Sequence, residues 1–127
     1  MVNHGPPSQR SDSVLPEHSI LSLEESLAMQ RSIGNETRFR VLNALVEDDA
    51  QSASELRDGL GLESNVLHYH LDELVDVGLV ENRKRKEPDS DGLYSYYRST
   101  SLGEGILEHG VRDLMRREWD ALEEYGE

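Results

Sequence analysis

The stretch from Ser52 to Leu79 constrains this chain more than any other part of it. Ser52 followed by Glu55 has the spacing of a capping box, which predicts a short helix running through Leu56 to Leu60. Gly61 then supplies a residue free to adopt the turn before Leu62. From Glu63 to about Val77 the residues Leu67, His70, Leu71, Leu74 and Val75 fall on one helical face, and Ser64, Asn65, His68, Tyr69 and Asp72 on the other. Gly78 ends that helix. Two helices joined by a short glycine-containing turn form a helix-turn-helix unit, whose second helix can enter a major groove.

Both flanks continue the pattern. Ser22 and Glu25 form a second capping signature, followed by an apolar stripe of Leu23, Leu27 and Ile33 up to a stop at Gly34. Asn35 is placed to cap a helix carrying Phe39, Leu42, Leu45 and Val46, closed by the acidic cluster Glu47, Asp48 and Asp49. Beyond Gly78 the period becomes extended. Leu79 and Val80 lead into Arg83, Lys84, Arg85 and Lys86, a turn-rich tip spans Pro88 to Gly92, and Leu93, Tyr94, Tyr96 and Tyr97 return. This predicts a two-stranded hairpin with a basic edge. The final segment, about Leu102 to Tyr125, carries Leu107, Val111, Leu114, Met115 and Leu122 near one stripe. Gly103, Gly105 and Gly110 weaken its first half, so a firm helix is expected only from about Ile106. Residues 1–19, with Gly5, Pro6, Pro7, Pro16 and several serines, read as a flexible arm.

With 127 residues, 35% of them hydrophobic, the chain closes one modest core. No apolar run reaches the roughly 20 residues of a membrane span, and the N-terminus lacks a secretory apolar stretch, so a cytoplasmic protein is expected. The absence of cysteine excludes disulfides, thiolate metal sites and thiol nucleophiles. The net charge of −13 opposes DNA binding in dilute buffer. Acidic residues outnumber basic ones throughout: 4 to 2 in residues 1–34, 14 to 8 in 35–100 and 8 to 3 in 101–127. Only Lys84 and Lys86 among the 13 basic residues are lysines. An acidic, lysine-poor composition is that of halophile proteins, and it predicts a haloarchaeal origin. In molar salt the Debye length falls to about 3 Å and the diffuse repulsion disappears.

The residues also resemble a family. The stretches IGNETRFRVLNALVEDD, SASELRDGLGLESNVLHYHLDELVDVGLVE and YYRST are similar to the ArsR-type winged-helix repressors, and more loosely to the MarR and PadR groups, over about residues 33–100. The most specific pieces are Thr37 to Arg40 with Leu42, the block Leu62 to Leu79, and Tyr96, Tyr97 and Arg98. The resemblance implies a homodimeric transcription factor with its first and last helices at the subunit interface. Family members that sense metals use cysteine pairs before the recognition helix, or His and Asp ligands on the last helix. This chain has no cysteine, and its last helix offers only Glu108, His109 and Asp113, so no metal or other cofactor is expected.

The candidate recognition-helix residues are Ser64, Asn65, Val66, His68 and Tyr69. Asn65 is the sharpest, because an amide pairs bidentately with adenine and first-turn residues touch bases. The alternative is that Ser64 and Asn65 satisfy first-turn amides. Glu63 is placed either to cap the helix or to accept from cytosine. Arg83, Lys84, Arg85 and Lys86 are the candidate wing contacts to backbone or minor groove. Ser52, Ser54 and Arg57 are candidate phosphate contacts, whereas Thr37, Arg38 and Arg40 fit scaffold equally well. Leu23, Leu27, Leu107, Val111, Leu114, Met115, Trp119 and Leu122 are the candidate dimer interface.

The expected fold is therefore α+β, mostly α: a flexible arm over 1–19, a winged helix-turn-helix over 20–100 and a C-terminal dimerisation helix over 101–127. The expected function is sequence-specific regulation of transcription by a homodimer on a pseudo-palindromic double-stranded DNA operator, with cations at the interface and no membrane partner. The alternative is a winged helix used for protein contacts in the transcription machinery. No enzyme is expected: catalytic Ser/His/Asp order, phosphate-binding glycine loop and HExxH spacing are all missing.

Overall fold

The computed structural model describes residues 20–87 and 92–125. The expected arm over 1–19 and most of the expected tip, 88–91, lie outside the described residues, as do the side chains of Trp119 and Tyr125.

Local capping sets the helix starts. Helix α1 (Leu23–Ile33) opens with a reciprocal box: the Glu25 amide donates to Ser22 Oγ at 3.0 Å and the Ser22 amide donates to Glu25 Oε1 at 2.8 Å. Helix α2 (Glu36–Glu47) begins where the Arg38 amide donates to Asn35 Oδ1 at 3.0 Å. Helix α3 (Ala53–Leu60) repeats the box with Ser52 and Glu55, then ends at Gly61, whose φ of +67° is left-handed and suits a residue without Cβ. Helix α4 (Ser64–Asp76) follows after three residues. Strands β1 (Val80–Lys86) and β2 (Leu93–Ser99) pair antiparallel, with Asn82 opposite Tyr97 and Arg85 opposite Tyr94. The periodicity did not reveal a third, minimal strand. Gln51 and Tyr97 exchange amide-to-carbonyl hydrogen bonds of 2.9 and 2.7 Å, joining the start of α3 to β2.

These elements enclose one core. Val41, Leu42 and Leu45 of α2 meet Leu56 of α3 and Leu67, Leu71 and Leu74 of α4, roofed by Leu79, Val80 and Tyr97 of the hairpin. Each leucine so enclosed contributes about 2 kcal/mol by leaving water. The architecture is α+β, mostly α: a winged helix-turn-helix.

The C-terminal segment departs from expectation. It is α-helical at once, as α5 (Ser101–Gly105), then runs in wide π turns over Ile106–Arg112, and resumes as α6 (Asp113–Arg116) and α7 (Glu118–Tyr125). The glycine argument therefore pointed the wrong way. Thr100 caps α5, its Oγ1 accepting from the Gly103 amide at 3.0 Å while donating to the Gly78 carbonyl at 2.7 Å. Gly103 is buried against the hairpin root, where a Cβ would lie 2.2 Å from the Leu79 carbonyl oxygen. Close approach, not weak propensity, explains that glycine. Leu107 in the wide turns is fully buried, and Arg112 donates to Asn43 Oδ1 at 2.8 Å and to Glu47, fastening the segment to α2.

Candidate nucleic-acid interface

Helix α4 buries Leu67, Leu71 and Leu74 and turns Ser64, Asn65, Val66, His68 and Tyr69 to solvent. Glu63 occupies the N-cap position without a side-chain capping bond, and Ser64 and Asn65 make no side-chain hydrogen bond among the described residues. The capping alternatives for all three are thereby corrected. The side chains stand free for other partners, His68 included, while Tyr69 meets the His70 ring edge-on at 5.0 Å.

The helix is held from behind. Arg38 donates from Nε to the Ser32 carbonyl at 2.7 Å, and its other end lies 3.2 Å from Nδ1 of half-buried His70. Burial, then the Arg38 charge, lower the imidazole below its ordinary range, so His70 is neutral at pH 7 and Nδ1 accepts from Arg38. Arg38 is thus scaffold that ties the α1–α2 corner to α4. Arg40 pairs with Glu36 at 2.8 Å on the surface.

The four wing cations do not form one patch. Side chains alternate along a strand, and directly opposed residues share a face. One face holds Val80, Asn82, Lys84 and Lys86 with Ser99, Tyr97, Ser95 and Leu93; the other holds Glu81, Arg83 and Arg85 with Arg98, Tyr96 and Tyr94. The first is the inner face. Its root, Val80 and Tyr97, is buried, and burial together with the charge of Asp72 on α4 raises the Tyr97 phenol above its ordinary range. Lys84 and Lys86 continue that face outward from the root that packs against α4. The arginines are otherwise engaged: Arg83 donates to Glu81 at 2.5 Å, and Arg85 lies over the Tyr94 ring at 4.6 Å.

At the start of α3, Ser52 is committed to its capping box, and Glu55 Oε1 already takes the Ser52 amide at 2.8 Å. The backbone Ser52 bond, its hydroxyl bond, Tyr94 and Arg85 hold the Glu55 carboxyl below its ordinary range. That carboxylate and the Glu55 amide are the partners Ser52 has in the capping box, where its Oγ is an acceptor. Ser54 and Arg57 remain exposed, joined by a 3.2 Å bond from Arg57 to Ser54 Oγ.

On the opposite side lies an apolar surface. Leu27, Leu114, Met115 and Leu122 are 46 to 67% exposed, with Leu23 and Val111 half-buried. Leu107 is a correction, because full enclosure in its own core leaves it no surface for a partner. Leu102, 44% exposed and outside the apolar stripe expected of the final segment, joins Leu21 and Ile106 along a groove of about 460 Å³ between α1 and the C-terminal segment. Glu108 and Asp113 are each drawn to Arg116, which lowers both carboxyls. No group of three or more potential metal ligands occurs among the described residues.

A family model described as a helix-turn-helix domain matches residues 33–83. A transcription factor E from Ignicoccus hospitalis is 36% identical over 75 residues, which cover 59% of this chain and 43% of that protein. The match therefore spans less than half of that relative. An ArsR-like transcriptional regulator from a Rhodococcus species is 26% identical, with a TM-score of 0.56 over 77% of this chain and 85% of the other. The homodimeric winged helix-turn-helix DNA-binding domain of a possible ArsR-family regulator from Mycobacterium bovis shares the fold, at 20% identity and a TM-score of 0.62 over 76% and 82% of the two chains. No helix among the described residues is long and apolar enough to cross a membrane.

Proposed function

We propose that this chain, an ArsR-like winged helix-turn-helix protein, is a cytoplasmic, non-catalytic regulator of transcription that binds a pseudo-palindromic DNA operator as a homodimer. One observation carries the reading: α4 presents Ser64, Asn65, His68 and Tyr69 exposed, on the helix against which the root of the Lys84 and Lys86 hairpin face packs. Asn65 reads a base edge, the two lysines meet phosphate, and Ser54 and Arg57 add backbone contacts. Pairing through α1 and the exposed leucines of the C-terminal segment sets two recognition helices about one DNA turn apart. The homodimeric architecture stated for the Mycobacterium bovis domain supports this arrangement.

The net charge of −13 supports the reading that the protein works in high salt, with cations taken up between the acidic surface and DNA. Affinity then falls only shallowly with KCl, or rises.

Gel-shift titration of genomic duplex fragments in molar KCl tests the reading. Asn65→Ala weakens the preferred fragment by about 1–3 kcal/mol. Lys84→Ala with Lys86→Ala weakens all fragments and lowers the counterion slope by about 2, whereas Arg83→Ala with Arg85→Ala changes duplex binding little. Binding unmoved by both the Asn65 and the lysine variants sinks the proposal. The similarity to a transcription factor E favours a second reading, a winged helix that contacts other proteins of the transcription machinery. Under it, the native chain shifts no duplex fragment.

A further inference from the structure

The outer face of the hairpin takes no part in duplex binding as described above. It carries Arg83 and Arg85 of β1 with Tyr94, Tyr96 and Arg98 of β2, and a single acid, Glu81. The two phenol rings stack at 5.9 Å with 22° between their planes, and the Arg85 guanidinium lies over both, at 4.6 and 5.4 Å. The hydroxyl of Tyr94 donates to Glu55 Oε1 at 3.3 Å, which fixes the ring against α3. Arg83 and Arg98 flank the rings and share Glu81, at 2.5 and 3.4 Å. Three guanidinium groups against the carboxylates of Glu81 and of the adjoining Glu55 leave the site at +1 in a chain of net charge −13.

We infer that this face binds single-stranded nucleic acid, with a base stacked on the platform of Tyr94, Tyr96 and Arg85 and phosphates held by Arg83 and Arg98. A flat aromatic surface topped by a cation suits the π-face of an unstacked base, and guanidinium planes serve the same purpose. A duplex offers only groove edges and phosphates, so the rings would be idle against it. An acidic peptide would engage the arginines and gain nothing from the paired phenols. The site lies on the sheet face turned away from Lys84 and Lys86 and adjoins the start of α3 through Glu55.

Fluorescence anisotropy of the full chain with labelled oligothymidylate and oligouridylate of about 12 nucleotides, across a KCl series, tests the inference and separates DNA from RNA as the source. Saturable binding to at least one strand is expected, weakened at least about tenfold by Tyr94→Leu with Tyr96→Leu. Tyr94→Phe with Tyr96→Phe retains the stacking and is expected to bind within about twofold of the parent. Arg85→Gln keeps the hairpin and weakens binding severalfold, so it decides the matter should the leucine pair fail to fold. Asn65→Ala leaves single-strand binding intact, which keeps this result independent of the duplex reading. The inference is overturned if the native chain binds neither oligonucleotide, if a folded leucine pair or Arg85→Gln binds as tightly as the parent, or if polyglutamate displaces the strand as effectively as unlabelled oligonucleotide does.

Discussion

Replacing Gly103 with alanine separates two physical accounts of the C-terminal segment. Helix propensity alone makes the change favourable by about 1 kcal/mol, since α5 would exchange its most flexible residue for its best helix former. The geometry predicts the reverse. The new Cβ would sit 2.2 Å from the Leu79 carbonyl oxygen and 3.1 Å from Leu42 Cδ1, and neither a backbone carbonyl nor a fully buried leucine can swing aside. Relief requires α5 to lift from the hairpin root. That motion strains the bond from the Thr100 amide to the Leu79 carbonyl, 3.1 Å, and the one from Thr100 Oγ1 to the Gly78 carbonyl, 2.7 Å. Overpacking costs about 1–3 kcal/mol and each weakened hydrogen bond about 1 kcal/mol, so after the propensity gain the net loss is about 2–4 kcal/mol. Thermal unfolding followed by circular dichroism in molar KCl should show a Tm lower by roughly 10 °C or more. Gly105→Ala is the matched control. A Cβ there meets nothing within 4 Å, so it should be neutral or stabilising by up to about 1 kcal/mol. A Gly103→Ala protein as stable as its parent would refute the close-approach account.

Other consequences are testable separately. His70 has its folded pKa lowered, so its neutral form is favoured in the native state. Its contribution to stability is complete above the ordinary imidazole range and is lost as pH falls from 6.5 through the lowered folded value; His70→Gln should flatten that limb of the stability profile, and an unchanged profile would count against the Arg38 contact. Arg112→Ala removes the bonds to Asn43 and Glu47 and should cost about 1–2 kcal/mol, seen first as faster amide exchange over residues 106–116. Leu114→Asp with Met115→Asp, both at exposed positions, should yield a monomer by size-exclusion chromatography with light scattering while leaving the domain folded. A persistent dimer would move the interface elsewhere.

Much of the molecule was legible in local pattern. The boxes at Ser22 and Ser52, the Asn35 cap and the turn at Gly61 close within a few residues, so short spacing suffices to identify them. The two faces of α4 follow from a period that any helix imposes, and its exposed row could be named residue by residue. What escaped depends on residues distant in the chain. The run Arg83–Lys86 reads as one basic block in one dimension, but pairing with β2 divides it between two sheet faces and places two tyrosines under one half.

Sequence periodicity and local caps determined the helices from Leu23 to Asp76 and the two hairpin strands, because those properties arise from rise and twist per residue, but not the Gln51 bridge or the wide turns over Ile106–Arg112. Tertiary packing decided why Gly103 has no side chain, why Leu107 belongs to the interior, and what Glu55 and Arg38 hold. Steric exclusion and hydrogen bonding between remote groups exist only once the chain has closed on itself.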